Sequence, residues 1–285
     1  MNGFPLLPRT ILGCDADFDS ATIAVFGAPF DGTATYRPGS RFAPAAVRTE
    51  SIGIETYSPY QDKDLADISV CDIGDLDLPF GNTGAALELI RKASGDIFAG
   101  GKKPVMIGGE HLVSLPVIEA ALKRYPDLIV IHLDAHADLR GEYIGEKLSH
   151  SSVVRRVWEL VGDGRIHQHG IRSGTREEFA FAKAHTVFYP FDLNGIEKTA
   201  KALQNKKAYL TIDLDVLDSS VFPGTGTPEA GGASFAELVK ALLAMKPLDI
   251  VGADIVELAP HYDPSGCSTA AACKVLRELL LLMGA

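Results

Sequence analysis

Five acids and imidazoles stand in two tight clusters: Asp134, His136 and Asp138 within DAHAD, and Asp213 and Asp215 within DLD. At spacing i, i+2, i+4 an extended backbone points all three side chains of the first cluster to one face, and the second pair shares a face for the same reason. Each cluster directly follows an apolar run, LIVIHL or AYLTI, so these side chains begin where a buried strand ends. Acids and imidazoles converging beside a core are costly unless a cation compensates them; a solvated loop after each strand is the alternative. His111, following PVMIGG, makes a sixth candidate. His132, two residues deeper than Asp134, reads as a satisfied core histidine.

Two histidines and four aspartates form a hard, oxygen-rich ligand set, which favours Mn²⁺ over Zn²⁺ and leaves Mg²⁺, Fe²⁺ and Co²⁺ open. Four carboxylates balance two divalent ions, and six residues serve two sites if some aspartates bridge. Two such ions, about 3.5 Å apart and sharing a water, would present hydroxide as a nucleophile at neutral pH. Spacing supports convergence of the six residues without establishing two ions.

The elements that must position these residues are legible as alternating strands and helices. ATIAVFG (21–27), PVMIGG (104–109), LIVIHLD (128–134), TVFYP (186–190), AYLTIDLD (208–215) and DIVGADIV (249–256) read as buried strands. Between them, 84–101, 114–126 and 234–247 have helical periodicity, the last opened by Ser234 and Glu237 as a capping box. This alternation predicts an α/β fold: a three-layer αβα arrangement around a mainly parallel sheet. Without a linker, composition shift or internal repeat, residues 1–285 read as one domain. Ligands gather beyond the carboxyl ends of such strands, where GGEH (108–111), DAHAD, DLD and VEL (256–258) all fall.

Bulk properties narrow the function classes. The formal charge of -10 argues against a nucleic-acid partner, which needs a basic face, and suits a cationic small molecule. The four scattered cysteines form no CxxC pair and read as reduced thiols. MNGFPLLPRT lacks a signal-peptide pattern, and no apolar run is long enough for a bilayer. A cytoplasmic protein without membrane contact is expected.

DAHAD, TIDLDVLD, the preceding GGEH and the following PGTGTPEAGG resemble the ureohydrolase (arginase/agmatinase) superfamily. APFDGTATYRPGSRFAPAAVR and DIVELAPHYD extend the likeness over nearly the whole chain, closest to the agmatinases. The resemblance implies an arginase-like αβα fold, assembly as a homotrimer or homohexamer, and hydrolysis of a guanidinium group to urea and an amine. It implies one Mn²⁺ held by His111, Asp134, Asp138 and Asp213, and a second by Asp134, His136, Asp213 and Asp215. Asp134 and Asp213 would bridge. Glu257 matches the carboxylate that grips the guanidinium, and His150 the histidine that passes a proton to the departing amine. Both would touch substrate, and with Asp138 they make the expected catalytic group. A catalytically silent relative would have lost ligands; all six positions keep them.

Substrate choice should lie in LRGEYIGEKLS (139–149). It has none of the Asn contacts that the resemblance associates with an α-carboxylate, and so points to agmatine, yielding putrescine for polyamine biosynthesis. Glu142 or Glu146 could face the distal ammonium; solvated surface charges are the equal alternative for both. Arg140 would instead suit a carboxylate, as in guanidinobutyrate; aminopropylagmatine and arginine complete the alternatives. Four other features read as structural or uncommitted. PGTGTPEAGG lacks the end of a P-loop and reads as an active-site wall. His167 and His169 lack a carboxylate neighbour. Arg172 and Ser173 are pocket residues only by resemblance, and Tyr36 to Gly39 form a loop at the pocket or a subunit contact.

Overall fold

The computed structural model describes residues 10–284, so the N-terminal segment read above for a signal pattern lies, except for Thr10, outside the described residues. In chain order the elements are β1 (Ile23–Ala28), α1 (Ala43–Glu50), β2 (Tyr57–Ser58), β3 (Lys63–Asp64), β4 (Val70–Asp75), α2 (Thr83–Ala99), β5 (Lys103–Gly108), α3 (Ser114–Arg124) and β6 (Ile129–Leu133). There follow α4 (Val153–Val161), β7 (Ile166–His169), α5 (Arg176–His185), β8 (Val187–Tyr189), α6 (Ile196–Ala202), β9 (Lys207–Asp213), α7 (Phe235–Ala244), β10 (Asp249–Val256) and α8 (Cys267–Met283).

Eight strands pair in the order β4-β1-β5-β10-β9-β6-β7-β8. Every neighbouring pair is parallel, so the sheet expected to be mainly parallel is parallel throughout. Strand side chains alternate between two faces, and the core divides accordingly. Ile23 and Val25, Val105 and Ile107, Leu210 and Ile212 pack with α1, α6, α7 and α8. Ala24 and Phe26, Met106, Val130 and Tyr209 pack with α2, α3, α4 and α5 on the other side. Helices on both faces are what buried, crossover-linked parallel strands require, and the αβα layers result. The C-terminal LRELLLL is core, with Leu279, Leu280 and Leu281 fully buried.

Ser234 and Glu237 exchange the reciprocal hydrogen bonds of the expected capping box at the start of α7, and Thr175 and Glu178 do the same for α5. β4 and β7 escape a hydrophobic-pattern reading. In VCDIGD the acids interrupt the run because Asp72 accepts from Arg48 and from the Ile11 backbone N–H. IHQH is polar yet wholly buried, and the Gln168 amide donates to the Ala137 carbonyl at 3.0 Å. The four cysteines are free thiols. Among the described residues no helix is long and apolar enough to cross a membrane.

Candidate metal centre

The sheet order explains the site. β5, β10, β9 and β6 are consecutive at its centre. His111 follows β5, Glu257 follows β10, Asp213 ends β9, and Asp134 follows β6. Residues far apart in sequence therefore meet beyond four adjacent carboxyl ends.

Local backbone then aims each side chain. A Cβ on Gly109 would lie 1.8 Å from the Phe30 carbonyl oxygen, so glycine alone lets the Glu110 N–H reach that carbonyl at 2.8 Å. His111 then opens a 3₁₀ turn that runs into α3. The DAHAD alternation holds only in part. β6 stops at Leu133, and Asp138 has φ 54, so its carboxylate arrives by a left-handed turn and not by extended parity. Asp tolerates that region. Glu257, at φ 65, also adopts it, and residues held so are concentrated at functional sites at about 1–3 kcal/mol each. Asp215 lies in a 3₁₀ turn after β9, its N–H donating to Asp213 Oδ1 at 2.8 Å.

The six predicted ligand residues converge. His111 Nδ1 lies 3.0 Å from Asp134 Oδ2, 3.3 Å from Asp213 Oδ2 and 3.4 Å from Asp138 Oδ2. His136 Nδ1 lies 3.0 Å from Asp215 Oδ2 and 3.5 Å from Asp134 Oδ1. Asp134 thus presents one oxygen to each half, and donor atoms on both sides of it lie close enough together to hold a metal ion. His132 meets the first group as well, but both its ring nitrogens are engaged. Nδ1 accepts from the Gln168 amide at 3.1 Å, so Nε2–H donates to Asp134 Oδ2 at 2.8 Å. It is a satisfied core histidine that braces a ligand candidate.

Electrostatics test whether the cluster fits a cation. His111 Nδ1 is buried without a hydrogen-bond partner while three carboxylates surround it. Burial pushes the His111 imidazole down, yet the neighbouring carboxylates of Asp134 and Asp213 raise it well above 6.5. His136 is raised likewise, burial being outweighed by Asp215 and Asp134. Burial, then Asp134, holds the Asp138 carboxyl well up; burial, then Asp215 and Asp134, does so for Asp213. The polypeptide has gathered more negative charge than it neutralises, and divalent cations fit the deficit.

A cavity of about 360 Å³ opens on this cluster, walled also by Arg140, Tyr143, His150, Thr227 and Glu257. Glu257 accepts the His111 backbone N–H at 2.9 Å, and burial pushes its carboxyl up to about 7. His150 Nδ1 is 3.5 Å from the buried Glu110. Burial lowers its pKa, but Glu110, then Glu257 and Asp138, raise it above 6.5 overall. A second cavity of about 400 Å³ is lined by Leu193, Ile196, Val216 and Ala241 together with Asp192, Glu197 and Glu237, and by no histidine.

The loop after Asp138 divides between solvent and cavity. Glu142 and Glu146 are exposed and line no part of the cavity; the carboxylate on that wall is the buried Glu178. Arg140 does face the cavity, but its Nε lies 3.7 Å from Glu178 and its guanidinium covers the Tyr143 ring at 4.5 Å. Thr227 confirms PGTGTPEAGG as a wall of the cavity, whereas Arg172 braces that loop through the Glu229 and Asp215 carbonyls. Ser173 and Tyr36 both line the cavity. His169 stacks on Tyr189, and its Nε2 meets the Thr199 hydroxyl at 3.2 Å. Sequence reading passed over Glu110 and Thr33. Thr33 donates to Glu110 through both its N–H (2.8 Å) and its hydroxyl (2.6 Å). The signal was there in an acid wedged between Gly109 and His111 after a buried strand.

A parallel αβα sheet with a buried His/Asp cation site beyond its central strands is the arginase-like arrangement, and comparison with known proteins agrees. The chain belongs to the Arginase family, which it matches over residues 21–282. It is 46% identical to the agmatinase of Bacillus anthracis over 93% of this chain and 92% of that protein. It is 46% identical to the agmatinase of Bacillus subtilis over 96% of each. The crystal structure of a Clostridium difficile protein superposes with a TM-score of 0.93 at 49% identity, covering 94% of this chain and 99% of the other. The protein is an agmatinase-like ureohydrolase, a hydrolase of linear amidines with the family's His/Asp metal site.

Proposed function

We propose that this chain hydrolyses agmatine to putrescine and urea with two Mn²⁺ ions, as a cytoplasmic homotrimer or homohexamer. His111, Asp134, Asp138 and Asp213 would hold one ion, and Asp134, His136, Asp213 and Asp215 the other. The oxygen-rich set suits Mn²⁺. What a divalent pair supplies there is a water acidic enough to attack at neutral pH.

One observation carries the reading: the Glu257 carboxylate is buried, lines the cavity and is anchored by the His111 backbone N–H at 2.9 Å. A guanidinium is charged at every working pH and offers parallel N–H groups that a carboxylate accepts bidentately. Glu257 therefore grips the substrate. His150, on the same wall and raised above 6.5 despite its burial, holds a proton for the departing amine. Asp138, 3.4 Å from His111 Nδ1, would add its carboxylate to the ligand set and help to orient the attacking water. Because Arg140 is compensated by Glu178, the outer cavity offers little to a substrate carboxylate and suits a tail ending in an ammonium.

Urea release by Mn²⁺-loaded protein, measured as kcat/KM for agmatine, arginine, guanidinobutyrate and aminopropylagmatine, tests this. Agmatine should be preferred; an agmatine-to-arginine ratio at or below one overturns the agmatine reading and leaves the ureohydrolase class in place.

A further inference from the structure

On the side of His111 facing away from the carboxylates, a line of hydrogen bonds runs into the core. His111 Nε2 lies 2.9 Å from Thr211 Oγ1, which lies 2.7 Å from Asp254 Oδ1. The other Asp254 oxygen accepts from the Tyr209 hydroxyl at 2.7 Å. Thr211 on β9 and Asp254 on β10 are direct partners in the parallel register. Thr211 shares a strand face with Tyr209 and Asp213 by alternation. Asp254 is 0% exposed and Thr211 2%. An ionised carboxylate so buried costs several kcal/mol unless its hydrogen bonds are complete, and an apolar pair would hold these two strands together at less cost.

Counting protons gives the line its direction. A carboxylate only accepts, and a threonine hydroxyl has one proton to give. With that proton on Asp254, the Thr211 oxygen accepts from His111, whose own proton then sits on Nε2. In the neutral ring that ligation requires, Nδ1 is then left with the lone pair, aimed among Asp134, Asp138 and Asp213. The opposite direction would protonate Nδ1 and close it to a cation. We propose that Thr211 and Asp254 are positioning residues that set the His111 tautomer and thereby the metal affinity of the site His111 joins. The inference rests on the reading of His111 as a metal ligand, and it concerns residues outside the ligand set.

The test is Mn²⁺ binding to the full chain, read as dissociation constants from a titration that measures free Mn²⁺, with elemental analysis of the dialysed protein. Thr211→Val keeps the shape and deletes the hydroxyl, and should weaken one of the two sites by about 10–100-fold, as loss of a ligand's hydrogen-bond partner does. Thr211→Ser restores the hydroxyl and should stay within about threefold of wild type, well short of that range. Thr211→Ala repeats the deletion should valine not be accommodated. Wild-type affinity at both sites in the valine or alanine variant overturns the relay alone. So does a serine variant as weak as the deletions, since packing would then be the cause. Wild-type protein that takes up no Mn²⁺ overturns the relay and the metal reading together.

Discussion

Glu178 Oε2 lies 3.7 Å from Arg140 Nε at the wall of the cavity, and the same carboxylate accepts the backbone N–H groups of Leu139 and Thr175. A guanidinium that the sequence leaves free to bind a substrate carboxylate is therefore already paired and held in place.

Glu178→Gln removes that compensation, and its single amide oxygen keeps an acceptor for one of the two backbone donors. Arg140 then presents an unbalanced positive charge to the substrate tail. The KM for agmatine should rise about fivefold, the ~1 kcal/mol upper range for a part-exposed pair. kcat should change little, and relative activity toward guanidinobutyrate should increase. Steady-state kinetics with both compounds at equal Mn²⁺ loading decide it; an unchanged preference would show that Arg140 does not reach the tail.

Asp213 contacts His111 on one side and the Asp215 backbone on the other. Asp213→Asn should cut Mn²⁺ retention by more than the about 10–100-fold typical of outer partners and nearly abolish turnover, with the circular dichroism spectrum unchanged. Two ions per chain and full activity in this variant would contradict the ligand assignment.

His150 lines the cavity without joining the cluster around His111. His150→Asn should lower kcat by about 10²–10³-fold, as expected for loss of one proton donor, and leave metal content and KM close to wild type. Loss of metal in this variant would instead make His150 a ligand.

His169 is buried as the neutral imidazole, and burial drives its pKa down to about 3. The unfolded chain takes up that proton below about pH 6.5, whereas the native state resists until much lower pH. Stability is therefore full above pH 6.5 and falls as pH drops from there toward 3. At pH 5 the loss from His169 reaches up to about 2 kcal/mol. Urea unfolding of metal-free protein at pH 7.5 and pH 5 should show the drop, and His169→Gln should reduce it. Equal slopes in the two proteins would assign the acid sensitivity to other groups.

Much of the site is legible in the linear chain because its ligands follow apolar runs at short spacing. An acid or imidazole placed where a buried strand ends has few inexpensive explanations, and Asp134, His136, Asp213 and Asp215 all announce themselves this way. The capping box at Ser234 is equally local, needing only two side chains three residues apart.

Polar groups buried within the elements were harder to read, because hydrophobic patterning treats them as surface. Gln168 and His169 hide β7 for that reason, and Asp254 stands in DIVGADIV with nothing in the local sequence to name Thr211 as its partner.

By itself the sequence determined the ligand types, the αβα class and the membership in a hydrolase family, since these rest on residue identity, alternation and short-range spacing. Tertiary structure decided that β9 and β10 insert between β5 and β6, which places His111, Asp134, Asp213 and Glu257 around one point. It also decided that Asp138 arrives through a left-handed turn, that Glu142 and Glu146 face solvent, and that Glu178 neutralises Arg140. Strand order and such pairings depend on hydrogen bonds and packing between segments distant in the chain, and no local pattern carries that information.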